Sequence, residues 1–359
     1  MHKAEENRLN QTKEFSRTLR FLIGAASMGV SLVILHTFAG FVNMLVVALI
    51  LAIVFSPLMA WLVRKKVPTV VSLIITMGLV ILIIVGLFLF LLFSLSSLSA
   101  SIPKYAAELE VLVISVQAFF DSLGIDLSDT EAIVSIIEPN QLINVITGFL
   151  ASFMGVLSDI AVVFLILAFL LVGTSGFAKK AKRIVDQGNP TVERFSNYRL
   201  DIRRYILITN NVGMMAGAIN AVMLTLIGVD YAILWGVLSW LLSYIPMVGF
   251  FLALIPPVIL ALLEFGWPTA VFVFIAYIVI NSLIDDVLKP KMMGEGLDLA
   301  PVMVLTSVIF WGLILGPLGG ILAVPVTLGI KQLVLEPDPE NRWLAELISD
   351  KPRLEEAED

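Results

Sequence analysis

Cysteine is absent from all 359 residues, so disulfides and thiolate metal sites are excluded, and the redox state of the compartment leaves no mark on the chain. Histidine is nearly absent too, with only His2 and His36. Charge is scarce: Asp, Glu, Lys and Arg make up 14% of the residues, against about 25% in an ordinary soluble domain. A net charge of −6 and a pI near 5.1 give no basic footprint, so a nucleic-acid partner is not expected. No His-Glu-x-x-His, Gly-x-Gly-Asp or Gly-Lys-Ser/Thr run occurs. Zinc and aspartyl intramembrane proteolysis and ATP-driven pumping therefore lack their parts. Gly173-Thr174-Ser175-Gly176 fits a short serine-protease pattern, but His36 is expected on the opposite side of the membrane, leaving no base for the serine. The expectation is a protein that is not an enzyme and holds no cofactor or resident metal.

What is present is apolar. Hydrophobic residues make up 59% of the chain and the mean hydropathy is +0.98. A helical span takes roughly 20 apolar residues. Charge-free blocks run over 21–39, 41–63, 67–94, 160–177, 205–227, 231–263, 265–284 and 299–330. The first 20 residues carry Lys3, Arg8, Lys13, Arg17 and Arg20. They are too charged for a cleaved signal and read as a cytoplasmic arm. Arg64, Lys65 and Lys66 crowd one short loop, and eight Lys and Arg residues between Lys179 and Arg204 crowd the loop at 178–204. Segment 95–147, between them, has only Lys104 against seven acidic residues. Basic loops stay inside, so both termini are expected in the cytoplasm of a multi-pass inner-membrane protein.

Segment 95–159 reads as an extracytoplasmic amphipathic piece. Tyr105, Leu109, Leu112, Val116 and Phe119 recur at helical spacing, with Pro103 permitting a kink. This stripe fits a face packing on a partner subunit or the membrane surface, and equally a cap on its own chain. Asp159 is expected to start the fourth span.

The blocks 231–263 and 299–330 are too long for one upright span, and both are interrupted. The first reads Trp235-Gly236, Tyr244-Ile245-Pro246, Gly249 and Pro256-Pro257; the second reads Trp311-Gly312, Gly316-Pro317, Gly319-Gly320 and Pro325. Broken backbone at membrane depth survives only where protein covers it or a cavity wets it, and paired breaks in two halves point to a transporter's central site. The expected architecture is all-α: about six full spans plus two Gly/Pro-broken helical hairpins in an inverted repeat. The units are a cytoplasmic arm 1–20, spans 21–94, the outer segment 95–159, a fourth span with basic loop 160–204, a transport unit 205–332 and an acidic cytoplasmic tail 333–359.

Leu234-Trp235-Gly236 through Ile255-Pro256-Pro257 resembles the autoinducer-2 exporter family of bacterial membrane proteins. So do Lys289-Pro290-Lys291-Met292-Met293-Gly294 and the run from Trp311-Gly312 to Leu322-Ala323-Val324-Pro325. The resemblance implies an inner-membrane homo-oligomer that exports a small polar signal or exchanges Na⁺ or Li⁺ for H⁺. Many members carry Glu-Pro where this chain has Lys289-Pro290, and Asn is common where it has Asp286.

Intramembrane ionisable groups are candidates for function. Asn281, Asp285 and Lys289 follow at i, i+4 and i+8, with Asp286 beside them, a place for Na⁺ or H⁺ as coupling ion or else a helix-ending ion pair. Asn210, Asn211 and Asn220 line the span at 205–227, where Gly213 and Gly217 also form a close-packing pattern. The reversals at Tyr244, Pro246 and Gly249, and at Gly316, Pro317, Gly319 and Gly320, are expected to present free backbone groups to a small polar solute or a monovalent cation. The remaining partners are the lipid bilayer and further copies of the chain. A scaffold without transport activity, working through the outer helix and the tail, is the competing class.

Overall fold

A computed structural model describes residues 17–122, 160–185, 190–293 and 298–350. Among them every regular element is helical. The chain begins with α1 (Arg17–Thr37) and α2 (Ala39–Arg64), joined through Phe38 alone. The next helix, α3 (Thr69–Ser122), is 54 residues long and passes through Pro103 without ending. At 1.5 Å per residue it rises about 80 Å, far more than the ~30 Å of a bilayer core, so a large part of it stands outside the hydrocarbon. Tyr105, first of the amphipathic stripe, is buried. The side chains of Leu109, Leu112, Val116 and Phe119 lie outside the described residues, as does Asp159.

After α4 (Ile160–Val185) and α5 (Pro190–Ile227), each long apolar block divides in two. The first gives α6 (Ala232–Leu242), a turn over 243–247 and α7 (Val248–Phe265). The second gives α10 (Pro301–Leu315), the single residue Gly316 and α11 (Pro317–Ile330). Between the blocks, α8 (Trp267–Ser282) continues through a π-helical turn (Leu283–Leu288) into α9 (Lys289–Met293). A second π-helical turn (Lys331–Leu335) follows α11, and α12 (Arg342–Ile348) lies in the tail.

The prolines divide by position. Pro246 lies in the turn between α6 and α7, whereas Pro57, Pro256, Pro257 and Pro325 sit inside continuous helices. An internal proline forfeits one ladder bond; packing by neighbouring helices keeps the helix running. Gly316 has φ +74°, which suits glycine, and Met247 has φ +61°, which strains a residue carrying a side chain. Thr327, on α11, donates to Ser307 Oγ at 2.8 Å and receives the Trp311 indole N–H at 3.3 Å, both partners being on α10. The chain therefore doubles back at Gly316.

Six of the described helices are long and apolar enough to cross a membrane: Ala39–Arg64, Thr69–Tyr105, Thr191–Ile227, Val248–Phe265, Trp267–Met293 and Leu318–Leu335. Leu22–Thr37, Ile160–Gly173, Ala232–Leu242 and Pro301–Leu315 are shorter apolar helices. The limbs of the first divided block are unequal, 11 and 18 residues, whereas those of the second are nearly equal, 15 and 14.

Helices α2, α3 and α4 share one core through Ala48, Val80 and Leu167. A second core joins α3 to α5, α6, α7 and α8 around Leu95, Trp235, Leu254 and Tyr277. A third joins α10 and α11 to α1 and α2. The outer surface is itself apolar, with Val33, Phe93, Phe169 and Leu226 largely exposed. A water-facing patch of that kind would aggregate; at bilayer depth it faces lipid.

Candidate functional site

The site grows from the seam between α5 and α6. A Cβ on Gly217 would overlap the Gly236 carbonyl oxygen and press on Trp240, and one on Gly213 would collide with Ser243. Only glycine lets these two helices touch, and that contact brings the turn after α6 onto α5. There Tyr244 donates its hydroxyl proton to Asn210 Oδ1 at 2.9 Å, and Asn210 Nδ2 reaches Asn211 Oδ1 at 3.4 Å. Asn211 is exposed, while Pro246 is half-buried.

The two breaks meet. A Cβ on Gly320 would lie 3.3 Å from Ile245 Cγ2, and Ile245 and Val248 pack on Val308, Trp311 and Leu322 of the second pair. Gly249 and Gly319 are buried because each lies against a carbonyl of the preceding limb, that of Leu242 and that of Trp311. Two carbonyls at the end of α10 are satisfied from the N-terminal spans. His36 Nδ1 bonds Ile314 O at 2.8 Å, and Asn43 Nδ2 donates to Leu315 O at 3.0 Å. The His36 partner lies 278 residues along the chain, so nothing in the local sequence marks the bond.

The other candidates fall in two places. Lys289 pairs with Asp285 at 3.5 Å, Asp286 is exposed, and Asn281 donates to its own helix at Tyr277 O, 2.8 Å away. A π-helical turn runs over Leu283–Leu288, and across it Asp285 and Lys289 still meet at i, i+4. Asn220 is wholly buried elsewhere on the seam, with Nδ2 3.4 Å from Ser239 Oγ and Oδ1 without a partner.

Sequence reasoning missed Tyr205 and Thr209. Both are buried on α5, one helical turn apart. The signal was the run Tyr205, Thr209, Asn210, Gly213, a polar and small face on an otherwise apolar helix. Two charge clusters were also missed, Lys331 with Asp298, and Lys104 and Tyr105 with Asp230 and Glu264. Burial pushes the Asp230 carboxyl up, but hydrogen bonds from Tyr105 and Lys104 outweigh it and hold the group below its ordinary range. Among the described residues no three His, Asp or Glu side chains converge on a possible metal position.

A bundle of apolar helices, six of them long enough to cross a bilayer, defines a multi-pass α-helical membrane protein. The family model described as AI-2E family transporter matches residues 21–336, and the chain belongs to that family of membrane transport proteins, which are not enzymes. The AI-2 transport protein TqsA of Escherichia coli K12 is 29% identical over 85% of this chain and 88% of its own length. A putative transport protein of Haemophilus influenzae is 30% identical over 92% and 96%. The putative transport protein YhhT of E. coli K12 is 26% identical over 86% and 88%.

Proposed function

We propose that the protein is a secondary active transporter of the bacterial inner membrane that exports a small polar signal molecule of the AI-2 type, with proton or cation coupling. The observation that carries this reading is the meeting of the two helix breaks at Ile245 and Gly320, beside the Tyr244–Asn210 pair. First limbs too short to cross support re-entry. With 11 residues α6 rises about 16 Å, half of a bilayer core, so a chain entering along α6 turns back at mid-depth, and α7 returns it to the same face. The 15-residue α10 rises about 22 Å, still short of a full crossing, and in this reading it turns back from the other side, giving two inverted units. Both termini are cytoplasmic, and the subunit associates with copies of itself. The signal assignment leans on what TqsA is named for.

A second reading, Na⁺ or Li⁺ exchanged for H⁺, draws on Asp285, the carboxylate paired with Lys289 at 3.5 Å. Sealed proteoliposomes with a pH dye separate the two. Proton release on addition of Na⁺ or Li⁺, lost in Asp285→Asn, is the antiporter result. Movement of labelled AI-2 that collapses with the proton or sodium gradient is the exporter result. If neither solute moves in either direction, transport is refuted and a scaffold remains. Single cysteines at 289–298 on this cysteine-free chain report sidedness: labelling from outside intact cells refutes re-entry of the second pair.

A further inference from the structure

The two turns are built differently. In the first, the Val248 N–H bonds the Pro246 carbonyl at 2.7 Å across Met247, whose φ is +61° and ψ −57°. A hydrogen bond closed over one central residue at such angles is the positive-φ γ-turn, a rare and strained conformation for a residue with a side chain. Met247 is 51% exposed, so burial of its side chain offsets little of that strain. In the second turn the reversal falls on Gly316, φ +74°, which has no Cβ to be strained. The moorings differ as well. The second tip is held by the N-terminal spans, through His36 to Ile314 O and Asn43 to Leu315 O. Among the described residues the first tip is tied to another helix by one side-chain hydrogen bond, Tyr244 to Asn210. The first pair is moored instead at its root. Asp230, before α6, and Glu264, near the end of α7, each place a carboxylate oxygen 3.0 Å from the Tyr105 hydroxyl of α3, and the Asp230 N–H donates to Glu264 at 3.1 Å.

We infer that the first broken pair is the moving gate: it pivots on its root at α3 while its tip swings, the strain at Met247 favours departure from the state described here, and the second pair is the fixed wall against which it closes. This rests on the transport reading above and assigns the motion within it. An inverted repeat offers two equivalent gates; unequal strain and unequal moorings make them inequivalent. A segment clamped at its root and held by one polar bond at its tip turns as a hinged element, and the hinge motion is absorbed by few residues. The packing of Ile245 on Gly320 does not oppose this, because an apolar contact is non-directional and lets one surface leave the other. Strain held at a turn raises the energy of the state that contains it, so that state is left more readily than a relaxed one. Glycine takes positive φ freely, so Met247→Gly keeps the turn and removes the strain. Met247→Ala removes the thioether and keeps the strain, because the penalty lies at Cβ.

The test compares the full-length parent, Met247→Gly and Met247→Ala by thermal unfolding, by hydrogen exchange over 244–250 and 314–320, and by movement of labelled AI-2 in proteoliposomes. In the parent, 244–250 is expected to exchange faster than 314–320. Met247→Gly is expected to melt higher than the other two proteins, to slow exchange over 244–250 fivefold or more with 314–320 unchanged, and to move the solute at least threefold more slowly than Met247→Ala. A merely structural turn raises the melting temperature in Met247→Gly without slowing movement, and that result overturns the proposal. So does a Met247→Gly protein that melts no higher than Met247→Ala, or a parent in which 314–320 exchanges as fast as 244–250. A parent that moves neither AI-2 nor Na⁺ refutes the transport reading instead, and the exchange comparison alone then decides whether the first turn is the movable one.

Discussion

Among the described residues Lys331 is the only charged side chain that is buried, and its ammonium reaches both the carbonyl and the carboxylate of Asp298, the latter at 2.6 Å. The pair joins the end of α11 to the strained residue, φ +37°, that leads into α10. Breaking a buried pair from one side leaves a charge without compensation, at about 3–5 kcal/mol, whereas removing both charges costs far less. Lys331→Met is therefore expected to lower the melting temperature sharply and Lys331→Met/Asp298→Asn to restore most of it, as followed by thermal unfolding in detergent. Asp230 behaves differently because it is largely solvated. Its carboxyl titrates below its ordinary range in the folded protein, so its contribution to stability is present above the unfolded value, about 3.9, and disappears as pH falls through the folded one. Between neutral pH and pH 3 the parent is expected to lose more thermal stability than Asp230→Asn. An equal loss in the two proteins is the contrary result.

At the scale of elements, the α5–α6 seam and the end of α10 hold the site together. The seam depends on the absence of side chains: Gly217 faces a backbone carbonyl, which has no rotamer to yield. Gly217→Val is expected to separate the helices and destabilise the protein by at least the 1–3 kcal/mol, roughly, of an overpacked core. The measurement is the fraction of monodisperse protein after extraction together with its unfolding temperature, and Gly312→Val is the control, since a Cβ there meets nothing within 4 Å. The end of α10 works by capping. His36 and Asn43 bring α1 and α2 to carbonyls that the turn at Gly316 leaves free, so the N-terminal spans grip the second broken pair directly.

Over the whole molecule, the contact between Ile245 and Gly320 makes the two broken pairs one centre. A cross-link through Ile245→Cys/Gly320→Cys, the only two cysteines in the chain, is expected to form under oxidation, stop solute movement and be reversed by reductant; full movement in the oxidised protein would show that the breaks need not separate. The sequence by itself determined the helical membrane class and the rough extents of the helices. Hydropathy over 20-residue lengths, Lys and Arg clusters, and Gly and Pro interruptions are local quantities, and the helices start or stop within a few residues of most block edges. It also marked Tyr244 and Asn210, and Gly316 with its following glycines, because polar and backbone-breaking residues are conspicuous in apolar runs. Only tertiary structure decided which of them meet. Pro246 falls at a break while Pro256, Pro257 and Pro325 do not, since neighbouring helices support the latter. The burial of Tyr205 and Thr209 appears only in the packed fold, as does the bond of His36 to Ile314, 278 positions along the chain. Pairing and burial between distant segments are properties of packing, which no local window of sequence contains.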